Sequence, residues 1–180
     1  MVVRLSDGKD AVQAYVNEHT SQGHAHVLDL ITEDHNLILR LIGDLTEDEA
    51  MTVTSADEWR VYDAVRHLSA SLDRSRDRLQ KLSSGQAFQP PQGVASGGLG
   101  AAEYASFSDL RRAYIDGMAE ILAVIRRADP AKNLDLTADH AEFGPFNWLG
   151  WAVYSHHVHT HDHVGQIENI KQAIRSDENT

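Results

Sequence analysis

Three long stretches of this chain repeat apolar residues at alternating steps of three and four, and a fourth follows near the C-terminus. That period returns to one face of an α-helix, so it limits the chain to helices that bury a stripe against one another. In the first stretch the recurring residues are His24, Leu28, Ile31, His35, Ile38, Ile42 and Leu45, after which Thr46-Glu-Asp-Glu49 reads as a fresh cap. The second runs from about Asp57 to Leu82. Ser55 and Glu58 form a capping box ahead of it, and Val61, Val65, Leu68, Leu72 and Leu79 line its apolar face. The third runs from about Phe107 to Ala128, with Leu110, Tyr114, Met118, Ile121 and Ile125 inward. Asp129-Pro130 ends it, because a proline disfavours helix in the residue before it. The fourth opens at Gly144-Pro145, where a missing N–H costs little, and continues to Ile174. A shorter amphipathic stretch, Asp10 to His19, either extends the first helix or packs separately. No strand pattern or internal repeat stands out. The expectation is an all-α fold, a four-helix bundle with a short N-terminal helical extension, in one domain spanning 1–180.

Two connections are unusual. Ser83 to Ala105, between the second and third helices, is a long Gly/Pro-rich loop without a period. Such a loop is either a lid over a binding site or a tether. The connection from Asp129 to Phe143 leads into the run FGPFNWLGW, which reads as core or dimer surface. Phe146, Trp148, Trp151 and Tyr154 give the fourth helix apolar surface beyond its core stripe, so a homodimer is expected.

Charge narrows the partners. Asp and Glu number 27 against 16 Lys and Arg, a net charge of −11, which repels phosphate backbones. No apolar run approaches the ~20 residues of a membrane span, and the first residues lack the pattern of a signal peptide. There is no cysteine, which removes disulfides, cysteine zinc sites and a cysteine nucleophile. The expectation is a cytoplasmic protein that acts on a small molecule, binding neither nucleic acid nor membrane.

The histidines carry the chemistry. Five of eleven fall in HHVHTHDH, from His156 to His163. On a helical wheel with His163 at zero, His159 lies at about −40° and His156 at about +20°, on the face of Ile167, Ile170 and Ile174. His157 and His161 fall at about 120° and 160°, which reads as a solvated face. Imidazoles among isoleucines need partners for both ring nitrogens. A divalent cation answers that need for an inward i, i+4 pair, against the alternative of a hydrogen-bonded network. A third ligand has to come from another helix. His35, in the first apolar stripe, and His67, at the border of the second, both qualify on spacing.

The stretch EWRVYDAVRHL, with Trp59, Val61, Asp63, His67 and Leu68, resembles the second-helix signature of the DinB-like four-helix-bundle superfamily. HTHDHVGQI, with His159, His163, Gly165, Gln166 and Ile167, is similar to its fourth-helix signature. The resemblance covers about residues 24 to 174. It implies a three-histidine site for a divalent metal, made by His67, His159 and His163. Zn²⁺ or Ni²⁺ suits such a set best, and Fe²⁺ also fits. Around it, Asp63 is placed to accept the other ring N–H of His67, Gln166 to orient a ligand, and His156 to act as a fourth ligand or a supporting group.

Relatives in the superfamily use a low-molecular-weight thiol such as mycothiol, bacillithiol or glutathione. The resemblance therefore implies a metal-dependent enzyme transferring such a thiol to a small electrophile. The alternatives are metal-assisted hydrolysis and a non-enzymatic stress-response module that holds a metal or small molecule. A thiol's carboxylates call for cations near the site, and Arg60 and Arg74 lie within about 20° of His67 on its wheel.

Overall fold

A glycine at positive φ decides how the N-terminus packs. Gly23 adopts φ 93°, a left-handed value costly for any residue with a Cβ, and it breaks the chain into two helices, α1 (Lys9–Ser21) and α2 (His24–Gly43). The N-terminal extension is thus a separate helix. It lies against α2 and the segment after residue 147, with Val12 and Val16 fully buried. The structure, a computed structural model, describes residues 1–88, 102–129 and 136–177.

Thr46 accepts the N–H of Glu49, and Glu49 accepts that of Thr46, which starts the short helix α3 (Glu47–Met51). The next long helix, α4 (Val61–Ser83), begins four residues later than the Ser55–Glu58 pattern suggests. The Asp57 side chain folds back to accept the Trp59 N–H at 2.8 Å, and Asp63 accepts the Arg60 N–H at 3.1 Å. Those bonds leave 57–60 outside the helix and put its start at Val61. Helix α5 (Phe107–Arg127) is capped by Ser106, whose hydroxyl accepts the Asp109 N–H. Residues 89–101, which hold most of the expected lid or tether, lie outside the described residues.

The segment before the fourth apolar stretch corrects two expectations. Gly144–Asn147 is not the start of a helix but a strand, β2, paired antiparallel with β1 (Thr137–His140). Gly144 sits at φ 90°, and Pro145 pairs opposite Asp139 in a two-stranded ribbon whose strands are both edges, where a proline is tolerated. The helix starts at Trp148, with the Asn147 side chain accepting the Gly150 N–H at 2.8 Å. It is also not continuous. Helix α6 (Trp148–Val153) passes through a π turn (Tyr154–Val158) into α7 (His159–Asp177).

Helix α4 packs against α5, α5 against α2, α2 against α7, and α7 against α4, so the apolar stripes meet in one core. Phe146, Trp148, Trp151 and Tyr154 are all buried within the chain. The aromatic run from which a homodimer is expected is therefore interior and offers no exposed patch. Among the described residues no helix is long and apolar enough to cross a membrane.

Candidate metal centre

His67 comes from the second turn of α4, and His159 and His163 from the first two turns of α7. The Nε2 atoms of His67 and His159 stand 3.1 Å apart, and those of His163 and His159 3.3 Å apart. Among the described residues these three form the one group of three or more His, Asp or Glu whose donor atoms all fall within 4.8 Å of one another. The spacing has a chemical meaning. Two nitrogens bound ~2.0–2.1 Å from one zinc ion at a tetrahedral angle lie about 3.3 Å apart. His67 is buried and the other two nearly so, against Trp59, whose ring stacks on His163 at 6.0 Å and tilts over His67 at 5.3 Å.

Burial fixes the charge state. The His159 imidazole is held well below its ordinary pKa, first by desolvation and then by the neighbouring His163 and His67. His163 is lowered too, mainly by burial, with Gln166, Asp162 and Asp57 pulling the other way. Neutral imidazoles are the form that ligates. The Gln166 Oε1 lies 2.7 Å from His163 Nδ1. An amide oxygen only accepts, so Nδ1 carries the proton and the Nε2 lone pair points to the other histidines. Gln166 is itself held by donating to Asp57 Oδ2 at 3.0 Å. The residues present thus fit a divalent cation on the chemistry of the donor set.

The same chain matches the family model of the DinB superfamily over residues 5–167. The chain belongs to the DinB superfamily. No curated protein and no solved structure matches it. The match begins at residue 5 rather than near 24, so it takes in α1.

The other site residues expected from the sequence are held by partners outside the triad. The Asp63 carboxylate is clasped by the Arg60 guanidinium at 2.7 and 3.0 Å and by the Arg60 N–H. That clasp also removes Arg60 as a free cation. His156 faces α4 but bonds Ser75 at 2.7 Å, outside the triad, because the wider π turn upstream of His159 rotates it away from the α7 register. His35 is buried and bonds the Tyr114 hydroxyl through Nδ1, again outside the triad. Asp57, which holds Gln166, went unmarked in the sequence; its signal is an Asx residue two before the Trp of the motif.

The far side of the π turn and α7 holds the larger surprise. His157 is not solvated but 3% exposed. Its Nδ1 lies 2.5 Å from Asp34 Oδ2, and its Nε2 2.8 Å from the Tyr15 hydroxyl. His161 Nδ1 reaches the other Asp34 oxygen at 3.3 Å and stays partly exposed. A carboxylate accepts only, so Nδ1 of His157 carries a proton, and the Tyr15 hydroxyl partners Nε2. The wheel placed this face correctly but assumed water beyond it; α1, through Tyr15, and α2, through Asp34, cover it instead. Asp34 was legible as a polar residue three after Ile31 and four before Ile38, in the stripe itself. Both faces border one open cavity of about 2000 Å³, which Asp57, Trp59, Tyr154 and Asp162 also line.

Proposed function

We propose that this DinB-superfamily protein binds one divalent cation through His67, His159 and His163, and that it is an enzyme transferring a low-molecular-weight thiol to a small electrophile. The observation that supports the metal is the convergence of three Nε2 atoms at 3.1 and 3.3 Å, one of them with its tautomer set by Gln166. The packing order of α2, α5, α4 and α7 supports the four-helix-bundle reading of the fold. When bound, the cation supplies a Lewis acid that polarises a carbonyl oxygen or lowers the pKa of a thiol or water. The chain does the rest. Three protein donors leave positions open to the cavity, and Trp59 walls one side of them against water. The chain has no cysteine, so the sulfur has to arrive with the cosubstrate.

Metal-assisted hydrolysis is the second reading. The carboxylates of Asp57, Asp162 and Glu168 on the cavity wall favour it, since any of them offers a base for water. Elemental analysis of untagged protein tests the metal first: one equivalent of Zn²⁺, Ni²⁺ or Fe²⁺ is expected, and none after His67→Ala. Thiol consumption with small electrophiles, run beside hydrolysis of activated esters, then separates the two reactions. Metal without either activity would leave a binding module.

A further inference from the structure

The β ribbon and the π turn, two elements that the apolar period does not show, meet at one hydroxyl. His140 ends β1, and its Nδ1 accepts two backbone N–H groups of the turn that follows, from Glu142 and Phe143, each at 3.2 Å. A ring nitrogen that accepts N–H groups carries no proton, so the proton of this imidazole sits on Nε2. Burial agrees, holding the ring below its ordinary pKa and therefore neutral. Nε2 lies 3.1 Å from the Tyr154 hydroxyl. His140 is thus the donor and the phenol oxygen the acceptor, which leaves the O–H proton of Tyr154 over. Among the described residues no other hydrogen-bond partner meets that hydroxyl. The side chain is 8% exposed, stacked on Phe146 at 5.3 Å and tilted on Phe143 at 5.5 Å. A fixed, buried donor without an acceptor is costly unless something comes to accept from it.

The π turn sets where that donor stands. In a regular α-helix, residues five apart point about 140° apart. Here the His159 N–H bonds the Tyr154 carbonyl oxygen, the i→i+5 contact of a π turn, which stacks the two residues on one side of the helix. One turn therefore separates the phenol from the His159 imidazole. Tyr154, His140 and the three histidines of the triad all line the same cavity. Its lining cations are Arg4 and Arg40, against carboxylic acids that include Asp57, Glu142, Asp162 and Glu168. A wall of that sign repels a carboxylate and tolerates an uncharged oxygen.

From this arrangement we infer that the Tyr154 hydroxyl donates a hydrogen bond to an uncharged oxygen of the molecule whose other end lies at the histidine triad. A carbonyl, an amide or a hydroxyl supplies such an oxygen. His140 is the positioning residue that leaves the proton free. The inference rests on the metal reading above for that other end. One helical turn is about 5 Å, so the fitting ligand carries its oxygen roughly 4–8 Å from its metal-binding atom.

Cobalt(II)-loaded protein titrated with N-acetylcysteamine, mercaptobutanoate and pentanethiol tests this. The three thiols are of similar length and end in an amide, a carboxylate and a methyl group. Binding is read from the sulfur-to-cobalt absorption band. Tyr154→Phe removes one oxygen and keeps the ring. It is expected to weaken N-acetylcysteamine roughly fivefold, the scale of one hydrogen bond between neutral groups, and to leave pentanethiol binding and the cobalt spectrum as they are. N-acetylcysteamine labelled with carbon-13 at its carbonyl gives a readout that a packing change would not move. Its infrared stretch should fall on binding, and the fall should be absent in Tyr154→Phe. His140→Leu takes away the donor that fixes the hydroxyl and should shrink the fall too; a full one there would overturn the positioning role. An affinity and a stretch that Tyr154→Phe leaves unchanged would overturn the donor. Mercaptobutanoate should bind more weakly than N-acetylcysteamine, and tighter binding would overturn the choice of an uncharged oxygen. Absence of a sulfur-to-cobalt band for all three thiols would overturn the metal reading instead. The carbonyl stretch of N-acetylcysteamine on metal-free protein then judges Tyr154 by the same comparison with Tyr154→Phe.

Discussion

The π turn and α7 together gather imidazoles on two faces, and they do so for opposite reasons. On one, His159 and His163 meet His67, and the three Nε2 atoms face one another with no carboxylate among them. On the other, His157 and His161 share the two oxygens of Asp34. A buried carboxylate satisfies ring N–H groups and needs nothing further. Three imidazole nitrogens turned toward one point have no acceptor of that kind, and a cation suits them together. The first face is a donor set suited to a cation, and the second is a finished hydrogen-bond network that ties α1 and α2 to the fourth apolar stretch.

The largest effect should come from breaking the first face. His67→Ala, His159→Ala or His163→Ala removes one of three donors, so near-complete loss of bound metal is expected by elemental analysis. The melting temperature should then stop responding to added metal. A ligand at a thousand times its Kd stabilises by about 4 kcal/mol, and that increment should vanish. His35→Ala is the control, since His35 bonds Tyr114 and should leave metal in place.

Acid should sharpen the contrast next. His35 is held well below its ordinary pKa and His156 down to about 3, both chiefly by burial. Each is neutral in the fold while the unfolded chain takes up a proton near 6.5. The unfolded state therefore binds more protons below that value. Stability is full above it and falls as pH drops toward the folded pKa, by up to roughly 1.4 kcal/mol per pH unit for each group. Urea midpoints of metal-free protein should decline between about pH 7 and pH 5. A flat profile would mean that both imidazoles are protonated in the folded protein.

Asp34→Ala should do to the second face what histidine loss does to the first, but in stability rather than in metal. It strands two ring N–H groups, one fully buried, at a cost of about 3 kcal/mol, the scale of removing one member of a buried pair. Chemical denaturation should show the loss, while metal content stays at one equivalent.

These contrasts also show what the sequence could and could not carry. Apolar period locates long helices, because burying a stripe is what makes such helices stable, and it sets His159 and His163 inward. It has no term for what covers the opposite face. Tyr15 and Asp34 reach His157 from other helices, so a single-helix wheel reads His157 as solvated. The π turn at Tyr154–Val158 is a second blind spot: a change of a few tenths of a residue per turn leaves no mark in composition, yet it moves His156 from the triad to Ser75. The strand at Gly144–Asn147 escaped because Gly-Pro is as good a helix opener as an edge-strand start. Trp59 was visible as part of a motif, but Asp57 matters only through Gln166, some hundred residues on.

Gln166→Leu should have a moderate effect confined to the first face. It removes the acceptor that keeps the proton on His163 Nδ1, and supporting residues of this kind are typically worth 10–100-fold in metal affinity. Competition with a chelator of known affinity measures the change. An unchanged affinity would mean that Asp57 or water replaces the amide oxygen.

The smallest effect expected is that of His161→Ala, and it draws the boundary between the faces most finely. His161 sits two residues from both His159 and His163, so any residue whose mere proximity mattered would disturb the metal. Its geometry says otherwise. The ring points to Asp34 across a long 3.3 Å contact, and its side chain is 39% exposed, so water replaces what it gives. His157, at 2.5 Å from the same carboxylate and 4% exposed, keeps Asp34 satisfied in its absence. Stability should change by no more than about 0.5 kcal/mol, and metal content and affinity should not change at all. His157→Ala, by contrast, should cost stability on the scale of Asp34→Ala with metal retained. If His161→Ala releases metal, the two faces are coupled through α7, and the division between a ligand site and a finished network does not hold.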